Sequence, residues 1–349
     1  MRTDTSYLGL RLSHPFIAGA SPFGHHLDTV RRLEDGGCAA VVLHSLFEEQ
    51  ITAARQGRIR HMDKADVAFA RSLAAFPAAE EYPLGPDAYA EHVRRVKQAV
   101  DIPVVGSLNG TSPESWLKFA RVIEQAGADA IELNLYEVVA DLHTPGAVVE
   151  ERLAGIVREV KRILRIPVSV KVSPFFTAFG HMARQFDEAG ADGLVLFNRF
   201  YQTDIDLTTM KVCVHVELSS ASELLLRLHW LAILYGRVRP SLAITGGIDQ
   251  PEDGIKAILS GADAVQMVSA LLRYGSKYID VMRQGLLEWM ERHEVPSVDE
   301  MRGDASLQRV TDPAALERAG YIRTLQSWEK EKYGHPLDGS RTHTAGDDR

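Results

Sequence analysis

The hydrophobic positions of this chain fall into eight short, nearly continuous apolar runs, and most are followed by a longer stretch with helical spacing. Continuous apolarity over four to six residues is typical of parallel strands that are buried on both faces. The predicted strands lie at residues 16–20, 40–45, 104–108, 130–135, 168–172, 193–198, 243–247 and 264–268. The predicted helices lie at residues 27–35, 86–100, 113–126, 147–164, 178–189, 222–235, 251–259 and 277–292.

A glycine followed by small residues precedes four of the predicted strands, at residues 36–40, 126–130, 189–193 and 260–264. The glycine can end a helix in a left-handed turn, and the small residues let the next strand begin at once. Eight such units in one chain predict an α/β fold of the closed (β/α)8 TIM barrel type. A doubly wound open sheet is the competing architecture, but it usually has fewer units.

Two segments interrupt this alternation. Residues 47–84 form a long insertion after the second strand, and a loop at that point opens on the catalytic face, where it would cover a ligand. Beyond residue 292, an extension at 295–303 and a helix at 312–332 are predicted, and the polar residues from 335 onward indicate disorder. The predicted organisation is therefore a barrel domain over residues 1–303, followed by a C-terminal helix and a disordered tail over 304–349.

Composition narrows the functional classes. The chain has 349 residues and a formal net charge of −8, without a basic stripe, so nucleic acid is not an expected partner. Cys38 and Cys213 are too few for a disulfide framework, a structural zinc site or an iron–sulfur cluster. Residues 1–7 are polar, and no apolar run reaches the roughly 20 residues that span a bilayer. We therefore expect a cytoplasmic protein without membrane contact.

Polar and small residues stand at the C-terminal tips of the predicted strands, where barrel enzymes build their active sites. These residues are Ala20, Ser21, His44, Ser45, Asn109, Asn134, Lys171, Asn198, Gly246, Gly247 and Ser269. One asparagine alone is more often a loop-capping residue, but the whole set converges on one mouth. The glycine pair after the seventh strand and Ser269 after the eighth fit a phosphate site, because glycine lets backbone amides approach a phosphate closely.

Lys171 has two chemical interpretations and one structural one. It would form a Schiff base in an aldolase, or its fixed charge would stabilise an anion on a bound ligand. The structural alternative is an ion pair with Glu132, which faces the same way as Asn134 on the fourth strand. Among the histidines, His44 is the best placed, and no carboxylate stands at metal-ligand spacing from the neighbouring pair at 25–26, so no metal site is predicted.

Over residues 7–302 the chain resembles the dihydroorotate dehydrogenases, FMN-binding barrels of pyrimidine biosynthesis that oxidise dihydroorotate to orotate. The resemblance lies in Glu-Leu-Asn-Leu at 132–135, Val-Lys-Val-Ser-Pro at 170–174, Gly-Gly-Ile at 246–248 and Val-Gln-Met-Val-Ser-Ala-Leu at 265–271. The opening residues 8–21 and Glu-Met-Arg-Gly at 300–303 are also similar to family segments. The order of the motifs agrees with the family, and the resemblance therefore implies FMN as cofactor.

The resemblance also implies a role for each tip residue. Lys171 would lie near the flavin N1 and C2 carbonyl, where a cation stabilises the anionic reduced flavin. The amides of Asn109, Asn134 and Asn198 would bind the isoalloxazine or the substrate above it. The remaining contacts are Ala20, Ser21 and Ser45 along the flavin and ribityl chain, and Gly246, Gly247 and Ser269 at the phosphate.

Several family positions are changed in this chain. The family's Asn-Leu-Ser-Cys-Pro-Asn is Asn-Leu-Tyr-Glu-Val-Val at 134–139, so that Glu137 takes the place of the catalytic base and Val139 that of a substrate-binding asparagine. His44 stands where the family has a lysine, and residues 79–86 and 219–222 replace an asparagine-rich loop and a glycine pair. The resemblance thus implies Glu137, Lys171 and His44 as catalytic residues and a substrate other than dihydroorotate.

Three functions remain open from the sequence. The first is an FMN-dependent oxidoreductase of the dihydroorotate dehydrogenase type, in which a proton goes to Glu137 and a hydride to FMN. The second is a class I aldolase-like lyase that uses Lys171, and the third is a flavin-binding subunit that relays electrons in a larger complex. The partners expected are a small-molecule substrate and an electron acceptor or redox protein that the sequence does not identify. A homodimer is compatible with the sequence.

Overall fold

The computed structural model describes residues 1–48, 85–110, 112–199, 202–215, 217–318 and 320–322. The chain divides into two units, Met1–Arg309 and Val310–Arg349. In the second unit the described residues include a 3-10 helix at Pro313–Leu316. The predicted insertion, apart from residues 47 and 48, lies outside the described residues, as do the tail and the part of the predicted helix beyond residue 322.

Eight parallel strands close into a barrel, which confirms the predicted TIM barrel. The described strands are β1 (Thr5–Tyr7), β2 (Leu10–Leu12), β3 (Phe16–Ala18), β4 (Val41–Phe47), β5 (Val104–Asn109), β6 (Ala130–Leu135), β7 (Val168–Val172), β8 (Gly193–Leu196), β9 (Gln202–Asp206), β10 (Lys211–His215), β11 (Ser241–Thr245) and β12 (Ala264–Met267). The barrel order is β11-β12-β3-β4-β5-β6-β7-β8. The pairs β1–β2 and β9–β10 are antiparallel hairpins outside the barrel, and the sequence did not predict them.

Helices alternate with the barrel strands along the chain. Within the described ranges they are α1 (Leu27–Asp35), α2 (Pro86–Ala99), α3 (Pro113–Gln125), α4 (Gly146–Ile163), α5 (Phe179–Glu188), α6 (Leu224–Leu234), α7 (Pro251–Ser260), α8 (Ser269–Tyr274), α9 (Tyr278–Arg292) and α10 (Val298–Met301). The short helices α8 and α10 were not predicted. None of the described helices is long and apolar enough to cross a membrane.

Helix starts follow local chemistry. Helices α2, α3 and α7 begin with proline, whose fixed φ suits the first turn and whose missing N–H costs no hydrogen bond there. The side chain of Ser112 caps α3 by accepting a hydrogen bond from the backbone N of Ser115. Gln250 and Asp253 form a reciprocal capping box at the start of α7. These caps fix the residues at which α3 and α7 begin.

Strand β6 shows how the barrel is layered. Its residues Ile131, Leu133 and Leu135 belong to the large core between the strands and the surrounding helices. Ala130 belongs to a second, smaller apolar cluster that includes Tyr7 of the N-terminal hairpin. The interior next to that hairpin is therefore apolar, as is usual for the packed centre of such a barrel.

A polar layer follows higher in the interior, toward the carboxyl ends of the strands. Ser107, Glu132, Ser169, Lys171 and Gln266 are all buried there. Buried polar groups are costly unless they are hydrogen-bonded, so this layer requires internal partners. It forms the floor of the site described next.

Candidate active site

The carboxyl ends of β6, β7 and β8 bring three predicted site residues together. Asn134 and Lys171 are register partners on adjacent strands. Asn198 follows β8, where its backbone N donates to the Val172 carbonyl at 2.8 Å and its Nδ2 donates to Asn134 Oδ1 at 2.8 Å. Two amides and an ammonium group thus lie at one side of the barrel mouth.

Lys171 forms the ion pair that the sequence left as an alternative. Its Nζ lies 3.4 Å from Oε1 of Glu132, and their side chains are 9% and 1% exposed. The other oxygen of Glu132, Oε2, accepts a hydrogen bond from Gln266 Nε2 at 2.6 Å. An ammonium group has three donors, so the contact with Glu132 leaves donors of Lys171 for a ligand at the mouth.

The ends of β4 and β5 are joined by hydroxyl groups. Ser45 and Ser107 are register partners, and their Oγ atoms lie 2.7 Å apart. Tyr89 of α2 lies behind them, where its hydroxyl donates to the His44 carbonyl at 2.9 Å and accepts from Ser107 N at 3.0 Å. Burial raises the pKa of Tyr89, which therefore stays a neutral donor. Asn109 is the last residue of β5 and is half-buried.

His44 lies in a histidine cluster that the sequence did not predict. The carbonyl oxygen of Gly24 faces both His44 Nδ1 at 3.0 Å and His92 Nε2 at 2.7 Å. The His25 ring stacks on His44 with centroids 3.8 Å apart. Because a carbonyl only accepts, Nδ1 of His44 carries the proton when the ring is neutral, and its Nε2 is then an acceptor. Ala20 and Ser21 directly precede this segment, and the 3-10 helix Pro22–His25 begins after Ser21.

Burial is the main reason that these histidines are neutral. It lowers the pKa of His44 to about 4, with a smaller contribution in the same direction from His92 and His26. Burial followed by the proximity of His44 lowers the pKa of His25 to about 2. His44 is therefore an uncharged hydrogen-bonding group near neutral pH. In the described ranges, no three His, Cys, Asp or Glu side chains are grouped so as to hold a metal ion.

This cluster predicts acid sensitivity between pH 7 and pH 5. A histidine whose pKa is lower in the folded than in the unfolded protein stabilises the fold fully above the unfolded pKa near 6.5. This stabilisation is lost as the pH falls below 6.5 toward the folded pKa. Each histidine contributes a slope of on the order of 1 kcal/mol per pH unit. Urea unfolding at pH 7 and pH 5 measures the slope. It should be smaller in His44→Gln and unchanged in His143→Gln, which alters an exposed histidine. Equal slopes in wild type and His44→Gln would contradict the assignment.

The turn after β11 carries the glycine pair. Gly246 and Gly247 both have left-handed backbones, with φ of +87° and +79°. A Cβ at Gly246 would lie 2.8 Å from Arg227 Nη2, and one at Gly247 would lie 2.7 Å from the backbone N of Leu224. Arg227 is buried and binds the carbonyls of Thr245 and Glu223. Glycine is required here because the turn packs directly on the start of α6.

The adjacent hydroxyl groups come from two segments. The backbone N and the Oγ of Ser219 each donate to Ser269 Oγ at 2.9 Å. Arg273 holds the Ser219 segment by donating to its carbonyl at 3.0 Å, and it pairs with Asp249 at 2.8 Å. Because the Oγ of Ser269 accepts both hydrogen bonds from Ser219, its own hydroxyl hydrogen is left to donate to another acceptor. The sequence identified Ser269 but did not assign roles to Ser219 and Arg273.

Glu137 lies on the segment that follows β6. One nitrogen of Arg152, Nη2, lies 2.7 and 2.6 Å from its two carboxylate oxygens, and the side chain of Glu137 is 39% exposed. Glu137 is therefore held in an ion pair with Arg152 beside the mouth. The insertion at 47–84, which is expected to cover a ligand at this face, lies outside the described residues beyond residue 48. Val139, in the position of a family asparagine, is also solvent-exposed.

These features define a (β/α)8-barrel protein with a polar site at the carboxyl ends of its strands. The chain belongs to the dihydroorotate dehydrogenase family, because the family model described as "Dihydroorotate dehydrogenase" matches residues 82–290. The chain is 26% identical over 320 residues to the NAD-dependent dihydropyrimidine dehydrogenase subunit PreA of Escherichia coli (strain K12), covering 86% of this chain and 76% of that protein. It is 26% identical over 310 residues to the catalytic subunit of dihydroorotate dehydrogenase B (NAD(+)) of Thermoplasma volcanium, covering 86% and 98%. A putative dihydroorotate dehydrogenase A (fumarate) of Aeropyrum pernix is also 26% identical, over 308 residues, covering 82% and 91%.

Proposed function

We propose that this protein is an FMN-dependent oxidoreductase that acts on a small substrate other than dihydroorotate. The observation that carries the proposal is the position of Lys171, a buried lysine in register with Asn134 at the barrel mouth. The relatives are named as dehydrogenases, which supports an oxidoreductase. The substrate half of the site supports the difference in substrate, since family positions for substrate binding are changed at His44 and Val139.

The residues present fit a flavin mononucleotide in their chemistry. A flavin ring has alternating carbonyl, N–H and N positions at its edge, and Asn134, Asn198 and Lys171 offer both amide and ammonium groups to such an edge. Across the mouth, Ser269 keeps a hydroxyl donor, and the glycine turn supplies backbone amides to a phosphate. The donor set is therefore divided between ring and phosphate, as a mononucleotide requires.

A bound FMN would supply the acceptor for a hydride from the substrate. Lys171 would supply the cation beside the flavin N1 and C2 carbonyl. Asn134 and Asn198, which are held in place by the hydrogen bond between them, would orient the ring. His44, neutral through burial, would accept a hydrogen bond where the family's lysine donates one. Because that position lacks a positive charge, it favours a substrate with an N–H or O–H group there over one with a carboxylate.

Glu137 is the base proposed to take a proton from the carbon next to the one that delivers the hydride. The structure adds a condition, because Arg152 holds its carboxylate in an ion pair. Movement of Arg152 away from Glu137 when substrate binds would free the carboxylate to reach the substrate proton. Arg152 is therefore proposed to control when Glu137 takes the proton.

Two other functions are less well supported. A Schiff-base lyase needs the Lys171 Nζ free to attack a substrate carbonyl, but Glu132 lies 3.4 Å from this Nζ and forms an ion pair with it. An electron-relay role has some support in one relative that is named as a subunit, whereas another relative is named as a catalytic subunit. Reduction of an artificial acceptor by the isolated chain separates the oxidoreductase from the relay subunit. Borohydride trapping of a substrate on Lys171 would identify a lyase.

The cofactor is tested directly by the absorption spectrum. We expect the purified protein to be yellow, and heating should release FMN in a ratio of about one per chain. An apoprotein prepared at high salt should regain the spectrum when FMN is added. A protein that is colourless, releases no flavin and rebinds none would contradict the proposed function.

A further inference from the structure

The polar layer beneath Lys171 spans the width of the barrel. Glu132 is on β6 and Gln266 is on β12, and these two strands stand four places apart in the closed order of eight. They are therefore on opposite walls, yet the Gln266 Nε2–Glu132 Oε2 distance is only 2.6 Å. The hydrogen bond crosses the interior, and it holds the carboxylate of Glu132 at the centre of the barrel below the mouth.

The two oxygens of this buried carboxylate differ in their hydrogen bonding. Both Glu132 and Gln266 are buried, at 1% and 0% exposure. Glu132 Oε1 has no hydrogen bond of good geometry within the described residues, although Lys171 Nζ is 3.4 Å away. Tyr7 lies below, and burial together with the Glu132 carboxylate raises the pKa of its phenol. The charge of Glu132 is thus compensated chiefly by Lys171, because Gln266 and Tyr7 are neutral.

The Lys171–Glu132 pair differs from an ion pair with a purely structural role. The chain has a conventional pair just before the same strand, where Lys97 Nζ of α2 contacts both oxygens of Asp129 at 2.9 and 2.7 Å. The Lys171–Glu132 distance of 3.4 Å is longer, and this pair lies beneath the mouth. The contact therefore fixes the ammonium group and leaves other donors of Lys171 for a ligand. Since charges interact more strongly away from bulk water, the balance between these two charges affects a third charge nearby.

We propose that Glu132, held across the barrel by Gln266, is a positioning residue that fixes the Lys171 ammonium at the mouth and sets the net charge presented to the flavin. The proposal rests on the proposed function, since it requires FMN above Lys171. The carboxylate partly offsets the ammonium and thereby limits how strongly the site favours anionic reduced flavin over oxidised flavin. The balance between the two flavin states would then be set by a residue that does not touch the flavin.

The test compares the dissociation constants of oxidised and reduced FMN. Glu132→Gln keeps the size and hydrogen-bonding capacity of the side chain and removes its charge. We expect the preference for reduced over oxidised FMN to rise about tenfold in this variant and to fall in Lys171→Met. In Lys171→Met the buried carboxylate has lost its cation and should take up a proton, so adding Glu132→Gln to that variant should change the preference less than about twofold.

Controls separate a structural role from a positioning one. Lys97→Gln breaks the conventional pair just before the same strand and should lower the melting temperature without changing the flavin preference. If Glu132→Gln fails to fold, Glu132→Met removes the same charge without needing a hydrogen-bond partner. A Glu132 variant that only lowers the melting temperature, or that lowers the preference for reduced FMN, would overturn the proposal. Failure of the wild type to bind FMN would instead contradict the proposed function itself.

Discussion

Dihydroorotate should leave the proposed flavin of this protein oxidised on the timescale on which dihydroorotate dehydrogenases turn over. The pocket has Val139 in place of an asparagine and a neutral His44 in place of a lysine. Each buried polar contact left unmade costs about 1–3 kcal/mol, so the loss of these two partners and of those in the changed loop at 79–86 would slow reduction by at least about a hundredfold. Anaerobic mixing with dihydroorotate, followed by flavin absorbance, measures this rate.

Two controls make the experiment decisive. Dithionite must bleach the same sample, which shows that the flavin is reducible, and an authentic dihydroorotate dehydrogenase must be bleached by the same dihydroorotate. The variant Glu137→Gln then tests the base, since it removes the carboxylate that Arg152 holds. Fast bleaching of the wild type that is undiminished in Glu137→Gln would contradict both the change of substrate and the role of Glu137.

Gly247→Ala should be one of the most damaging single-methyl changes in the chain. An alanine at φ +79° is strained by about 1–2 kcal/mol, and its Cβ would lie 2.7 Å from the backbone N of Leu224. Relieving that contact requires movement of the backbone at the start of α6, which adds about 1–3 kcal/mol. We expect a total loss of roughly 2–5 kcal/mol in unfolding free energy, together with at least about tenfold weaker FMN binding, because the same turn is proposed to hold the phosphate.

Gly127→Ala is the matched control. Gly127 has a similar left-handed φ of +92°, but a Cβ there would have no atom within 4 Å. Its variant should lose only the conformational term of about 1–2 kcal/mol and bind FMN normally. Denaturant unfolding and FMN titration of both variants give the comparison. Equal destabilisation of the two would show that the contact with α6 relaxes at no cost.

The barrel was predictable because its strands are buried on both faces. Runs such as β6 and β7 are apolar over most of their length, and their bounds at 130–135 and 168–172 agree with the structure. The hairpin β9–β10 was missed because Gln202–Asp206 is mostly polar and its Ile205 is exposed. The hairpin β1–β2 was missed because each of its strands has only three residues.

The site was predictable in position but not in contacts. The C-terminal ends of parallel barrel strands all lie at one mouth, so Asn134, Lys171 and Asn198 were expected there together. The partners of His44 come from α2 and from the 3-10 helix Pro22–His25. The approach of His44 and His92 to the one carbonyl of Gly24 depends on packing that no local pattern encodes. Gln266 had a detectable signal, a polar residue inside an apolar strand, but its partner lies 134 positions away in the chain.

The bond between Glu132 and Gln266 has a consequence for how the chain can be divided. A cut between β6 and β12 would produce two fragments, one with the carboxylate and one with the amide. In either fragment alone, the exposed inner wall would carry a polar group whose partner is on the other piece. We therefore expect neither half of the barrel to be stable without the other. Fragments that reassemble should do so in one cooperative step, as the interior bond closes.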